Sequence, residues 1–258
     1  MRIFLCVVML FNLVKGISQP PGYSVSNAHS HNDYEQPAPL MKAYQAGFGS
    51  IEADIYLRND QLLVAHEEKE LDNNRTLEHL YLEPLNRYVT NNQGYPYTDH
   101  SKKLLLLIDI KSEAIPTLDK LVQVLKQYPS LTGSRNLQFV ISGNRPPENT
   151  YNSYPGFIAF DGELSKTYTN EALKHIALMS DNLANYTQWN GKGIIVADEG
   201  KKLQAIVAQA HELGKPVRFW NSPDFENAWL QLMKLGVDYI NTDHIERLST
   251  FLNTHKKY

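Results

Sequence analysis

Glu52 and Asp54 stand two residues apart in Ser50-Ile51-Glu52-Ala53-Asp54-Ile55-Tyr56-Leu57, where they alternate with Ile51, Ala53, Ile55 and Leu57. That period of two is a strand's. Successive strand side chains face opposite ways, so the two carboxylates share one face, about 7 Å apart. Side by side they repel and resist desolvation unless a cation sits between them. A hard divalent ion such as Mg²⁺ or Ca²⁺ takes oxygen ligands of this kind. Two ordinary acids on a solvated face would give the same pattern. Other chemistry-bearing residues are His29, His31 and Asn32 in His29-Ser30-His31-Asn32-Asp33-Tyr34, His66 closing Leu62–His66, and Asp109 with Lys111 at the end of Leu104–Ile110. Singly, a histidine is commonly a satisfied surface or core residue and a strand-end aspartate a helix cap. Gathered at one rim, three acids and an asparagine carbonyl make a hard-metal site, and two flanking histidines make an acid–base pair.

The elements that would gather them can be read in order. Tyr23–His29 is expected as a short strand, Leu40–Ala46 as a helix closed by Gly47, and Ser50–Leu57 and Leu62–His66 as strands around the Asn59-Asp60 turn. Thr76–Thr90 has helical spacing, and Leu104–Ile110 is the continuous apolar run of a strand buried on both faces. Helix Ile115–Tyr128 carries Pro116 in its first turn. Leu137–Ser142, Gly156–Phe160 and Ile176–Ser180 read as further strands, with a loop over Arg145–Tyr154. Helix Lys201–Leu213, strand Val217–Trp220, helix Asn227–Leu235 and strand Val237–Asn241 complete the chain. Strands alternating with helices argue for a parallel sheet, and their number suits a closed (β/α)₈ TIM barrel in one domain; a doubly wound open sheet is the runner-up. His29, His31, Asp54, Asp109, Asn144, Asp161, Asp181, Asn221 and Asp243 all fall at or just past strand C-termini, which converge on one mouth in a barrel.

The motifs His-Ser-His-Asn-Asp-Tyr (29–34), Ala-Gly-Phe-Gly-Ser-Ile-Glu-Ala-Asp-Ile (46–55) and Leu-Leu-Val-Ala-His-Glu (62–67) resemble the phospholipase C-like phosphodiesterase superfamily, in its glycerophosphodiesterase-like branch with a His-Asn-Asp-Tyr signature. The resemblance implies a TIM barrel with one divalent metal and two catalytic histidines. The family's Ser-His-Asn, a catalytic histidine followed by a metal-binding asparagine, falls on Ser30-His31-Asn32. Its Glu-x-Asp pair falls on Glu52 and Asp54, and its second catalytic histidine on His66. The third acidic ligand and the lysine after it look like Asp109 and Lys111, as in the spider-toxin phospholipase D branch. Val217–Trp220 and Leu235–Asp243 resemble the family's last two strands, whereas residues 112–182 match in pattern alone. His29 is the alternative for the first histidine, and otherwise a supporting or substrate-binding residue. Asp33 and Tyr34 are expected to fix the loop. The chain lacks the His-Arg-Gly of the glycerophosphodiesterases, and Pro147–Thr150 matches their Pro-Glu-Asn-Thr only in a distant loop, so the head group stays open.

The expected activity is metal-dependent cleavage of a glycerophosphodiester or a phospholipid head group, with Lys111 as a point charge on the phosphate and Trp220 against the rest of the substrate. Trp220 would equally serve as a rim aromatic. A barrel that binds a phospho-ligand or carbohydrate without turnover would lack one of these groups, and none is missing. A phosphomonoesterase would want a second metal site or a dedicated nucleophile.

Met1-Arg2, an apolar run from Ile3 to Val14 broken by Asn12, and a polar stretch to Gln19 describe a signal peptide over residues 1–19, too short to span a bilayer that needs roughly 20 apolar residues. The expectation is an exported protein: periplasmic, cell-surface or extracellular. Its one cysteine, Cys6, lies in that segment, so an ordinary core must hold the domain over residues 20–258 together. A net charge of −3 with scattered basic residues points away from nucleic acid. The expected partner is a small phosphodiester or phospholipid, met with transient membrane-surface contact, by a chain taken as a monomer.

Overall fold

Nine strands, most of them buried, form the sheet of the computed structural model, which describes residues 22–254. They are β1 (Ala28–Ser30), β2 (Ser50–Arg58), β3 (Gln61–Val64), β4 (Leu104–Ile110), β5 (Leu137–Gly143), β6 (Ile158–Glu163), β7 (Ile176–Asn182), β8 (Val217–Trp220) and β9 (Ile240–Thr242). Their order is β8-β7-β6-β5-β4-β2-β1-β9, every neighbouring pair parallel, with β3 antiparallel against the end of β2. A parallel bridge from Arg218 to Tyr239 joins the two ends, so the eight parallel strands make a nearly closed (β/α)₈ barrel in one domain.

Helices α1 (Met41–Ala46), α2 (Glu83–Asn91), α3 (Ala114–Leu125), α4 (Pro129–Thr132), α5 (Asn170–Lys174), α6 (Ala197–Glu212), α7 (Glu226–Lys234) and α8 (Ile245–Thr254) alternate with the strands. In α8 the buried residues Ile245, Leu248, Phe251 and Leu252 lie on one stripe, as 3.6 residues per turn requires. The stripe expected over Thr76–Thr90 is present, but its first part, Glu78–Leu82, is wound as a π-helical turn before α2 begins.

The core has two compartments. The larger one fills the space between sheet and helices; the smaller, inside the barrel, is Leu105, Leu107, Val140 and Leu178. Leu105 and Leu107 share β4's inward face with Asp109, and Val140 shares β5's with Ser142. Apolar side chains therefore plug the barrel below, and polar ones continue the same rows towards its C-terminal mouth.

Several boundaries differ from the sequence expectation; β3 ends at Val64, which leaves His66 just beyond the strand. Ser24 caps a 3₁₀ turn at Val25–Asn27, so β1 starts at Ala28 and carries Ser30. Gly236, at φ +86°, ends α7 and Val237 N still bonds Leu232 O, which delays β9 to Ile240. β6 and β7 run on to Glu163 and Asn182, which puts Asp161 and Asp181 inside strands rather than beyond them. The expected loop at Arg145–Tyr154 holds a 3₁₀ turn, Glu148–Ser153, whose Tyr151 stacks on Phe160 with ring centroids 3.6 Å apart. The segment 1–19 and Cys6 lie outside the described residues. Among the described residues no helix is long and apolar enough to cross a membrane.

Candidate active site

Pairing of β2 with β4 places Asp54 directly opposite Asp109, and Glu52 lies two residues earlier on the same face. Oxygen atoms of Glu52, Asp54 and Asp109 lie within 4.8 Å of one another. Oxygen ligands around one ion at 2.0–2.6 Å are separated by up to about 5 Å, so the spacing suits a single hard cation. Asp54 Oδ1 is buried without a hydrogen-bond partner. Burial, followed by the repulsion of Glu52, pushes the Asp54 carboxyl up to about 6. An orphaned oxygen among crowded acids is what a cation would relieve, and the residues present fit one. Lys111 Nζ partly offsets the charge at 3.0 Å from Asp54 Oδ2 and 3.1 Å from Asp109 Oδ1. Ser142 Oγ donates to Asp109 Oδ2 at 3.0 Å. Gly143, at φ +66°, leaves room for the same carboxylate: a Cβ there would collide with Asp109 and lie 2.6 Å from Ile110 O.

The cluster opens into a cleft of about 470 Å³ at the strand C-termini, lined also by His31, Asn32, His66, Lys111 and Trp220. His31 Nδ1 lies 2.8 Å from Asp243 Oδ1 at the end of β9. Burial opposes the imidazolium there, but that hydrogen bond and the charges of Glu52 and Asp243 outweigh it, and the His31 pKa is raised. His66 stands half-exposed beside Asp54, its Nδ1 3.0 Å from Tyr34 Oη and 3.4 Å from Asp54 Oδ2. Asn32 takes the left-handed conformation, φ 46° and ψ 41°. Trp220, 41 % exposed, stands at the rim.

His29 is placed differently. It is fully buried and outside the cleft lining, with Nδ1 2.8 Å from Ser50 Oγ and Nε2 2.8 Å from both Glu52 Oε2 and Arg218 Nη1. Burial, then the Arg218 charge, lowers its pKa to about 4, so it is neutral at pH 7. Arg218 also reaches Glu52 Oε2 at 3.4 Å and Asp161 Oδ2 at 3.8 Å. Burial alone would raise Glu52, but Arg218 and His29 overcome it and hold this carboxyl well below the usual range. His29 is therefore a prop for the carboxylate, in the supporting role that was its alternative.

Two stretches of the chain match family models: residues 23–139 the AIM6-like phosphodiesterase domain, and residues 216–246 the glycerophosphoryl diester phosphodiesterase family. Both contain residues of the cleft. Both models are of phosphodiesterase families, a similarity consistent with the PLC-like phosphodiesterase superfamily. Among curated relatives, altered inheritance of mitochondria protein 6 of Eremothecium gossypii is 28% identical, the match covering 88% of this chain and 69% of that protein. The homolog from Arthroderma benhamiae is 29% identical over 84% of this chain and 81% of its own. A glycerophosphodiester phosphodiesterase from Parabacteroides distasonis superposes with a TM-score of 0.56 at 14% identity, covering 90% of this chain and 99% of that one. A putative glycerophosphoryl diester phosphodiesterase from Agrobacterium tumefaciens gives 0.53 at 10%, covering 92% and 100%. At such identities these structures support the fold alone.

Several residues in and around the cleft were not singled out by the sequence alone. Arg218 had a signal: it lies two residues before Trp220 on one strand, so the two share a face. Asp243, legible from the sequence only as a strand-end acid at the mouth, holds His31. Tyr34 does fix the loop, its carbonyl accepting from Arg75 Nη2 at 2.6 Å, but its hydroxyl also enters the site. Arg145, from the expected loop, reaches the Asp161 carbonyl and pairs with Glu163 at 2.7 Å on the far wall. Pro147–Thr150 does not line the cleft, in keeping with a chance match.

Proposed function

We propose that the chain is an exported, metal-dependent phosphodiesterase that cleaves a glycerophosphodiester or a phospholipid head group. The observation that carries this reading is that His31 and His66 flank the Glu52–Asp54–Asp109 cluster within one cleft. A Mg²⁺ or Ca²⁺ ion held by those carboxylates, with Asn32 as a further oxygen ligand, would neutralise charge developing on a phosphate oxygen. Lys111 adds a fixed positive charge beside the same site. One imidazole takes the proton of the attacking hydroxyl as the new P–O bond forms. The other gives a proton to the leaving alkoxide as the old P–O bond breaks. A neighbouring hydroxyl of the substrate as attacker yields a cyclic phosphodiester, and water opens it. Asp243 supports His31 by favouring its protonated form. Trp220 offers an apolar face to the non-reacting part of the substrate.

Among the described residues a single three-acid cluster is found, which favours one-cation diester chemistry over a two-metal phosphomonoesterase. The decisive assay compares bis-p-nitrophenyl phosphate with p-nitrophenyl phosphate, each with EDTA and then with Mg²⁺ or Ca²⁺ restored. Diester turnover that is lost to chelator and rescued by one ion is expected. Preference for the monoester would contradict the proposal.

A further inference from the structure

Tyr34 Oη lies 2.8 Å from Asp54 Oδ2, 2.9 Å from Asn32 Oδ1 and 3.0 Å from His66 Nδ1. A phenol has one proton to donate and two lone pairs that accept. The ionised Asp54 carboxylate can only accept, and it is the nearest and the charged partner, so the proton points there. The other two groups must then donate. His66 does so by carrying its proton on Nδ1, which leaves Nε2 bare. Asn32 does so with its amide turned to present Nδ2 to the phenol, since the oxygen and nitrogen of an amide are assigned from their partners. Its Oδ1 is then released from Tyr34. With Asp54 ionised and His66 neutral, this arrangement satisfies the one donor and two acceptor sites of the phenol oxygen.

We propose that Tyr34 is a positioning residue. Its hydroxyl fixes His66 as the Nδ1–H tautomer, so Nε2 is the atom offered to substrate, and it frees Asn32 Oδ1 to join the cation's oxygen ligands. The inference rests on the reading of His66 and the acid cluster given above. Rigidity supports it: Tyr34 is only 3 % exposed, and Arg75 Nη2 clamps its carbonyl. His66 is half-exposed, and its remaining neighbour, Asp54 Oδ2 at 3.4 Å, is long for a hydrogen bond. Without the phenol oxygen the imidazole has little to choose one tautomer or ring orientation over another.

Y34F tests this, because it keeps the buried ring and removes one oxygen. Long-range ¹H–¹⁵N spectra of ¹⁵N-histidine-labelled protein at pH 8, with His66 assigned from H66Q, should show Nδ1–H in the unmodified protein and a mixture or Nε2–H in Y34F. Mg²⁺ or Ca²⁺ affinity by calorimetry should fall about 10-fold, in the range of outer-sphere partners. Diester turnover should lose about 10- to 100-fold in kcat with KM little changed. His66 as Nε2–H in the unmodified protein, or unchanged tautomer and ion affinity in Y34F, would overturn the inference. Tautomer and affinity are read without substrate. A protein that shows the Nδ1–H form, a weakened ion in Y34F and no diester turnover would sink the proposed function while supporting the positioning role.

Discussion

Asp161 lies inside β6 with Ser180 Oγ on one carboxylate oxygen and no hydrogen bond on the other. Burial is the main cause that raises its pKa, from 3.8 to about 6, and Arg218 and Arg145 only partly oppose it. The native state therefore binds this proton more tightly than the unfolded chain does. The stability it contributes is complete below pH 3.8 and is lost as pH rises through 6, by about 3 kcal/mol at most. D161N removes the titrating group. The stability of the unmodified protein relative to D161N should accordingly fall between pH 4 and pH 7, read from urea midpoints across that range. A constant difference would show that Asp161 ionises in the fold as freely as in water. The charge on Asp161 is tolerated because Arg218 lies between it and Glu52, a guanidinium shared by two buried acids.

At the scale of elements, the site is a product of register. Asp54 faces Asp109 because β2 and β4 pair without offset, and Gly143 sits where β5 passes Asp109. Alanine at 143 would meet both a left-handed backbone, costing about 1–2 kcal/mol, and the Asp109 carboxylate. G143A is expected to lower stability by at least that amount and to weaken divalent-ion binding, because Asp109 must move. Thermal denaturation and calorimetric ion titration measure the two effects. Ion affinity equal to that of the unmodified protein would remove Asp109 from the ligand set. The strand carrying Glu52 and Asp54 was legible from its alternation, and β4 from its continuous apolar run. The end of β6 was not, because Asp161-Gly162-Glu163 reads as a polar turn when its inward partners Arg218 and Ser180 are unknown.

At the scale of the whole molecule, what the sequence concealed are contacts made only when the barrel closes. His31 and Asp243 are 212 residues apart in sequence, His29 and Arg218 189, and Arg218 and Glu52 166. No local period links such residues. The alternation of strands and helices, by contrast, predicts the barrel because each unit is local, and strand order brings His31, Glu52, His66 and Asp109 to one cleft with Asp54 buried in the same acid cluster. Closure is thin where β8 meets β9, with one backbone bridge from Arg218 to Tyr239. A side chain of the site reinforces it: Arg218, on β8, crosses to His29 on β1 and Glu52 on β2. The functional cleft thus also fastens the barrel along its weakest line.

The most direct measurement is the turnover of a diester by H66A, made alongside its affinity for Mg²⁺ and Ca²⁺. His66 is half-exposed at the mouth, so its removal should leave the fold and the ion site in place. A loss of about 10²- to 10⁴-fold in kcat with ion affinity within a few-fold is the predicted result, the range for removing an acid–base group. Diester turnover retained at the level of the unmodified protein would contradict the account at its centre.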